Sequence, residues 1–184
     1  MSRFKFLKLF LKSPMEIAAV TPSSGFLVRK MLKPINFSRR LVIVELGAGT
    51  GVITSELLKR ITSDSDIFCF EKDKILADKL KKEFQDSRLH LINDGAENAG
   101  KYLAEIKPGG VDYVVSGLPM AILPKDKKMR ILEAISNYLK KGGFYIQFQY
   151  SLTSLSLLKK VFDKVSVGLE FRNIPPAFVY VCGK

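Results

Sequence analysis

The chain has 184 residues, 47% of them hydrophobic, enough for one substantial core and too few for several ordinary domains. Thirty basic against eighteen acidic side chains give a net charge of +12, which draws nucleic acid, anionic lipid or phosphorylated small molecules without choosing among them. Two cysteines outside any CxxC spacing and a single histidine exclude a disulfide framework and a His-rich metal site, and no run of 18 apolar residues is present to span a membrane.

In chain order, MSRFKFLKLFLK comes first. On a helix, Lys5, Lys8 and Lys12 fall within a wedge of roughly 60°, while Phe4, Phe6, Leu7, Phe10 and Leu11 cover a broad opposite face. Such a segment suits an anionic membrane surface, and it equally suits packing on the domain. It lacks a small-residue cleavage site, so secretion is not expected. AAVTPSSGFLVRKML (18–32) follows, reading as a helix start with Thr21 as cap and Pro22 in the first turn. Residues 1–40 are taken as amphipathic and capping helices, and 41–184 as one α/β domain.

From Leu41 the pattern alternates. LVIVEL (41–46), DIFCFE (66–71), LHLIN (89–93), VDYVVS (111–116) and GFYIQFQY (143–150) have strand length and composition. Helical spacing runs over 52–61, 74–84, more weakly 97–106, and 127–140, with a last helix near 152–162. This alternation predicts a parallel sheet with helices on both faces. The final KVSVGLEFRNIPPAFVYVCGK contains two extended runs joined by RNIPP with no helix between them, so they must form an antiparallel hairpin. His90, alternating with leucines in RLHLIN, reads as a strand-surface residue, and Cys69 and Cys182 as reduced thiols.

VELGAGTGVIT leaves the first strand and enters the first helix of the domain. Gly47, Gly49 and Gly51 permit a tight turn and a close ligand, and helix-start amides can receive an anionic group. Glu71 ends the second strand, where a carboxylate can accept from a ribose diol, and Asp94 ends the third, where one can accept an exocyclic amine. Each taken singly is also an ordinary turn, strand end or cap; together they point to an adenosine.

VELGAGTGVIT, FEKD, NDGA and SGLP, in this order, resemble the motifs of class I S-adenosylmethionine-dependent methyltransferases. The resemblance runs from Leu41 onward. It implies a single-domain Rossmann-like α/β fold with a largely parallel seven-stranded sheet ending in an antiparallel hairpin. It also implies S-adenosylmethionine as cofactor, held by Glu45, Gly47, Ala48, Gly49, Gly51, Glu71, Lys72, Asp94, Gly95 and Ala96, and no metal. Dinucleotide oxidoreductases use a similar turn, but their usual spacing is GxGxxG and this one reads GAGTG.

The acceptor loop is SGLPM (116–120). Ribosomal RNA adenine dimethyltransferases resemble the chain in the glycine motif, yet they carry an aromatic where Met120 stands and extend into a helical RNA-binding domain for which 184 residues leave no room. AAVTPSSGFLVRKML, SGLPM and NIPPAFVY (173–180) are similar to bacterial phospholipid N-methyltransferases acting on phosphatidylethanolamine. That resemblance implies a phospholipid substrate and a cytoplasmic enzyme at the inner membrane face, and the basic amphipathic pattern of residues 1–12 agrees with attachment there. The acceptor amine would be positioned by Ser116, Gly117, Leu118 and Pro119, with Tyr150 a further candidate catalytic residue. RNA methylation, and a non-catalytic membrane- or RNA-binding module, remain the alternatives.

Overall fold

The computed structural model describes residues 24–106 and 109–184. The basic segment 1–12 and the helix start expected at Thr21 and Pro22 lie outside the described residues.

Seven strands form one sheet in the order β3-β2-β1-β4-β5-β7-β6. They are β1 Val42–Leu46, β2 Asp66–Phe70, β3 Leu89–Ile92, β4 Val111–Ser116, β5 Leu139–Gln149, β6 Lys164–Glu170 and β7 Ala177–Gly183. The first five are parallel, and β7 runs antiparallel between β5 and β6. The helices are α1 Gly25–Leu32, α2 Val52–Leu58, α3 Lys74–Glu83, α4 Ala99–Ile106, α5 Lys125–Tyr138 and α6 Leu155–Val161, with 3-10 turns at Ala96–Asn98 and Met120–Ile122. The expected Rossmann-like topology is the observed one.

The central strands read as continuous apolar runs because both sheet faces are covered. In β1, Val42, Val44 and Leu46 join Phe70, Val114 and Tyr145 beneath α4, α5 and α6. Ile43 points the other way and packs with Ile67, Val115 and Leu57 beneath α1, α2 and α3. The cap of α1 is Ser24, whose hydroxyl accepts from the Leu27 amide at 3.2 Å. This helix buries Leu27, Val28, Met31 and Leu32 in the same core as the sheet.

One strand boundary departs from expectation. β5 begins at Leu139, not 143, because the chain leaves α5 directly into pairing with Val111. The register then shifts to Tyr113 opposite Phe144, and Gly142 in the intervening bulge has φ 78°. The helix expected over 127–140 therefore ends at Tyr138. The last helix starts at Leu155, and the RNIPP turn separates β6 from β7 as expected. His90 is exposed on β3, stacked on Phe68 and 2.9 Å from Asp66.

At the amino edge of the sheet, Asp112 ties three segments together. Its carboxylate accepts from the Val42 amide at 2.8 Å, Arg39 at 3.0 Å and Lys140 at 3.1 Å. Burial pushes this carboxyl up, but the three donors outweigh burial and hold it below the ordinary value. Asp112→Ala is expected to lower the unfolding free energy by about 2 kcal/mol, since it orphans the buried Val42 amide, while Arg39 and Lys140 are exposed enough to return to water. Asp112→Asn, which can still accept from Val42, should lose less. Because the folded pKa is depressed, the contribution is present above the unfolded pKa and lost as pH falls through the folded one. Urea titrations of both variants against pH provide the check.

Candidate active site

The ladder aligns Leu46 with Phe70 and Ser116, and Phe70 with Ile92, so Gly47, Glu71, Asn93 and Gly117 leave the sheet at one edge. Chain direction across the sheet reverses between β1 and β4, since β2 and β3 lie to one side and β5 to the other. A crevice outside the carboxyl ends at such a reversal is where ligands bind in this architecture.

The three glycines of the first loop do different work. All have positive φ: 74° at Gly47, 57° at Gly49 and 79° at Gly51. A Cβ at Gly47 would meet Leu118 Cδ2 at 2.8 Å, and one at Gly51 would meet Leu80 and Phe84 at 2.6 and 2.7 Å. Those two accommodate protein. At Gly49 a Cβ would meet nothing within 4 Å, so this position borders the open space that a ligand needs. Ala48 is buried, and its carbonyl accepts from the Gly51 amide at 2.9 Å.

Glu71 holds this loop in place. One carboxylate oxygen accepts from the Gly49 amide at 2.8 Å and the other from the Asp73 amide at 2.9 Å, leaving acceptor capacity on both oxygens. Asn93 fixes the strand end by donating to the Glu71 carbonyl at 2.8 Å and more distantly to that of Lys72. The Lys72 residue itself is exposed. Asp94 accepts from Gly95 N at 2.6 Å, Asn98 Nδ2 at 2.8 Å and Tyr102 OH at 2.9 Å. These bonds, with Asn98 the largest influence, hold its carboxyl below the ordinary value, so it is an anion with one lone pair still open on Oδ2. Ala96 is buried beside it.

On the β4 side, SGLPM is more than a strand end. A Cβ at Gly117 would lie 2.8 Å from the Gly47 carbonyl oxygen, so the two loops touch backbone to backbone. Ser116 is fully buried and its hydroxyl accepts from Leu118 N at 3.3 Å. The Leu118 carbonyl is used twice, by Met120 N at 2.8 Å and Gln147 Nε2 at 3.1 Å, and the Gln147 amide is in turn held by Tyr145 OH at 2.6 Å. Of the residues expected to position an acceptor, Gly117 has a carbonyl that accepts no hydrogen bond among the described residues, whereas the Ser116 side chain supports the loop from within. Pro119 precedes the Met120–Ile122 turn, and Met120 is buried in the core.

Tyr150 stands at the same edge but packs on the α1 side of the sheet, edge-on to Phe148. Burial raises its phenol, and Asn173 bonds its hydroxyl. The Asn173 side chain also accepts from Ser24 N at 3.3 Å and donates to the Pro175 carbonyl at 2.8 Å. The NIPP turn and the start of α1 thus close around the end of β5. Sequence reading missed Thr54, Asn93, Tyr102, Gln147 and Asn173. A glutamine in the apolar run FYIQF was the one visible signal.

Glu45 lies under the glycine loop and is fully buried. Its Oε2 accepts from Thr54 at 2.7 Å and faces Cys69 Sγ at 3.6 Å, while Oε1 has no partner among the described residues. With the space over Gly49 and the open acceptor capacity of Glu71 and Asp94, this orphaned oxygen fits a site built to receive a polar cofactor. Burial pushes the Glu45 carboxyl up to about 7 despite the bonds from Thr54 and Cys69. A folded pKa above the unfolded value means stability fully present below the unfolded pKa and lost as pH rises through about 7, on the order of 3 kcal/mol in all. Urea midpoints of the wild-type chain should therefore fall relative to those of Glu45→Gln between about pH 5 and about pH 8. Parallel pH profiles would show that the carboxyl titrates as in solvent.

A cleft of about 320 Å³ between α1, α2 and α3 touches Thr50 and Gly51 but none of Glu71, Asp94 or the SGLPM loop, and it lies apart from this site. The family described as a methyltransferase domain matches residues 43–143. The ornithine lipid N-methyltransferase of Singulisphaera acidiphila is 30% identical over 181 residues, covering 97% of this chain and 94% of that protein. Ribosomal RNA small subunit methyltransferase A of Campylobacter fetus is 36% identical over 104 residues, covering 54% of this chain and 35% of that protein. A solved Streptococcus mutans structure in complex with SAH is similar in fold, with 17% identity and TM-score 0.63, covering 86% of this chain and 96% of that one. Sequence motifs, topology and site agree with these matches: the chain belongs to the class I S-adenosylmethionine-dependent methyltransferases, and S-adenosylmethionine is its cofactor.

Proposed function

We propose that the protein methylates the primary amine of a membrane aminolipid at the cytoplasmic face of the membrane, with phosphatidylethanolamine as substrate and one or more methyl groups added. The observation that carries this reading is the burial of Met120, which is 1% exposed. A flipped base would need a planar stacking partner at that point of the loop, worth about 1 to 3 kcal/mol, whereas a small amine needs only a carbonyl and a fixed turn. The likeness over nearly the whole chain to an enzyme named for N-methylation of an aminolipid supports the same substrate class.

When bound, S-adenosylmethionine supplies an electrophilic methyl group to a neutral amine approaching in line. Gly49, Glu71 and Asp94 would hold it, with Glu45 beneath the loop. The Gly117 carbonyl accepts a hydrogen bond from an amine proton and so orients the nitrogen lone pair. Gln147 takes up the neighbouring Leu118 carbonyl, which leaves one acceptor in the loop to define the amine's position. The side chains around the loop include no histidine, the cysteines are buried, and Tyr150 carries a raised phenol bonded to Asn173. The ammonium proton therefore leaves to water, and positioning does most of the catalytic work.

Incubation with labelled cofactor and separate vesicles of phosphatidylethanolamine, vesicles of ornithine lipid, and ribosomal RNA tests the reading. Label is expected in phosphatidylethanolamine. Label confined to ornithine lipid would keep the class and move the headgroup, and label in RNA adenines alone would overturn both. Gly117→Val should cut turnover by about 100-fold or more, because its side chain meets the Gly47 carbonyl and displaces the acceptor. Pro119→Ala should also lower turnover strongly, and Met120→Ala only moderately, through packing. Gly49→Val and Glu71→Ala should weaken cofactor binding in calorimetry by at least about tenfold with circular dichroism unchanged.

A further inference from the structure

The seven most exposed large apolar side chains among the described residues are not scattered. Six of them lie at the carboxyl edge of the sheet, the edge that carries the site; the exception is Val167, within β6. Ile75 opens α3 next to β2, and Phe26 lies in the first turn of α1, whose cap residue is bonded to Asn173. Ile122 follows β4, Leu152 follows β5, and Phe171 and Ile174 sit in the β6–β7 turn. Because β7 is antiparallel to β5, with Phe178 opposite Gln149, that turn projects from the same edge. The order β4-β5-β7-β6 sets these last four tips in a row that spans three inter-strand steps, about 14 Å. Phe171 is 72% exposed.

The charge around the row is predominantly basic. Arg29, Lys125 and Lys128 form no close ion pair among the described residues, and Lys30 acts on Glu170 only from beyond ion-pair distance, while Lys127, Arg130 and Arg172 pair with Glu97, Asp126 and Glu170. Lys30 and Lys128 also donate to the carbonyls of Leu169, at the end of β6, and Ala121, which holds them near Phe171 and Ile122. Arg172 lies over the Phe26 ring at 4.4 Å and Arg29 at 4.8 Å, so the apolar and basic groups are interleaved. Apolar tips rimmed by cations match an anionic bilayer, where rings enter the interface and lysines meet headgroups.

We propose that this edge is a bilayer-docking surface, with Phe171, Ile174 and Leu152 entering the headgroup region of an anionic membrane and presenting the SGLPM loop to lipid. The proposal rests on the aminolipid reading for its purpose, but it is a statement about the surface and involves the β6–β7 turn independently of residues 1–12. Docking at this edge lets a lipid headgroup reach the Gly117 carbonyl without leaving the interface, since the acceptor loop and the tips share one edge.

The chain contains no tryptophan, so Phe171→Trp in the full chain supplies a single reporter. With vesicles of phosphatidylcholine and phosphatidylglycerol, its emission should shift to the blue and be quenched by lipids brominated along the acyl chain. Phe171→Ser should reduce vesicle binding about tenfold, and Phe171→Ser/Leu152→Ser further, with cofactor affinity by calorimetry unchanged. Both sites are exposed, so unchanged circular dichroism should accompany the loss. Co-sedimentation without any shift in the reporter's emission, or unchanged binding by the double variant, would overturn the proposal, as would a wild-type chain that ignores anionic vesicles. Failure of the aminolipid reading looks different: the reporter docks and no lipid is methylated.

Discussion

The site depends on the close approach of two backbones. The turn after β1 and the turn after β4 meet where Gly117 faces the Gly47 carbonyl, at a distance no side chain tolerates. The two loops are thereby placed in fixed relation, each anchored by a different part of the molecule. Gly49 is held from the β2 side by Glu71, and Leu118 from the β5 side by Gln147. A reaction that relies on in-line geometry is sensitive to small displacements, because an ångström of misplacement costs far more than the few contacts that changed. Placing the contact at the sheet's most buried pair of strands keeps both loops from drifting.

Electrostatics follows from the same arrangement. Glu71 and Asp94 are oriented by amides, an asparagine and a tyrosine, and neither depends on a cation for its placement. Each keeps lone pairs for a ligand, and the bonds to Asp94 hold its carboxyl below the ordinary value. Glu45 is the opposite case: it is held by Thr54 and Cys69 without an ion pair among the described residues, and burial drives its carboxyl toward neutrality. Its Oε1 is one of two buried side-chain atoms without a partner among the described residues, the other being Gln149 Nε2. An unsatisfied atom beneath the loop is a cost that the folded chain bears at the site and nowhere else in β1.

The fold was legible from alternation of strand and helix patterns together with the missing crossover before the last strand. These are short-range signals that the packed sheet reinforces. The glycine turn after β1 was legible because glycine at φ > 0 has few substitutes. What stayed hidden was tertiary in origin. That Gly47 and Gly51 make room for Leu118, Leu80 and Phe84, and only Gly49 for open space, depends on which elements pack nearby. Tyr102 and Asn98 look like ordinary helix residues until the chain folds back to Asp94. The early start of β5 reflects a bulge that leaves no trace in hydrophobic periodicity.

The basic excess acquires a meaning from its distribution. Many lysines and arginines are tied to carboxylates or carbonyls within the fold, including Arg39, Arg60, Arg88 and Lys140. Salt bridges of this kind add little net stability when exposed, and they leave the field of the protein nearly unchanged at a distance. The cations that lack carboxylate partners near the carboxyl edge act differently, since an uncompensated charge a few ångströms from a surface keeps its long-range attraction until salt screens it. The crevice itself, by contrast, is lined by Glu71 and Asp94. A basic rim around an acidic crevice can separate two tasks: the rim suits the proposed anionic surface, and the carboxylates of the crevice suit a cationic sulfonium cofactor.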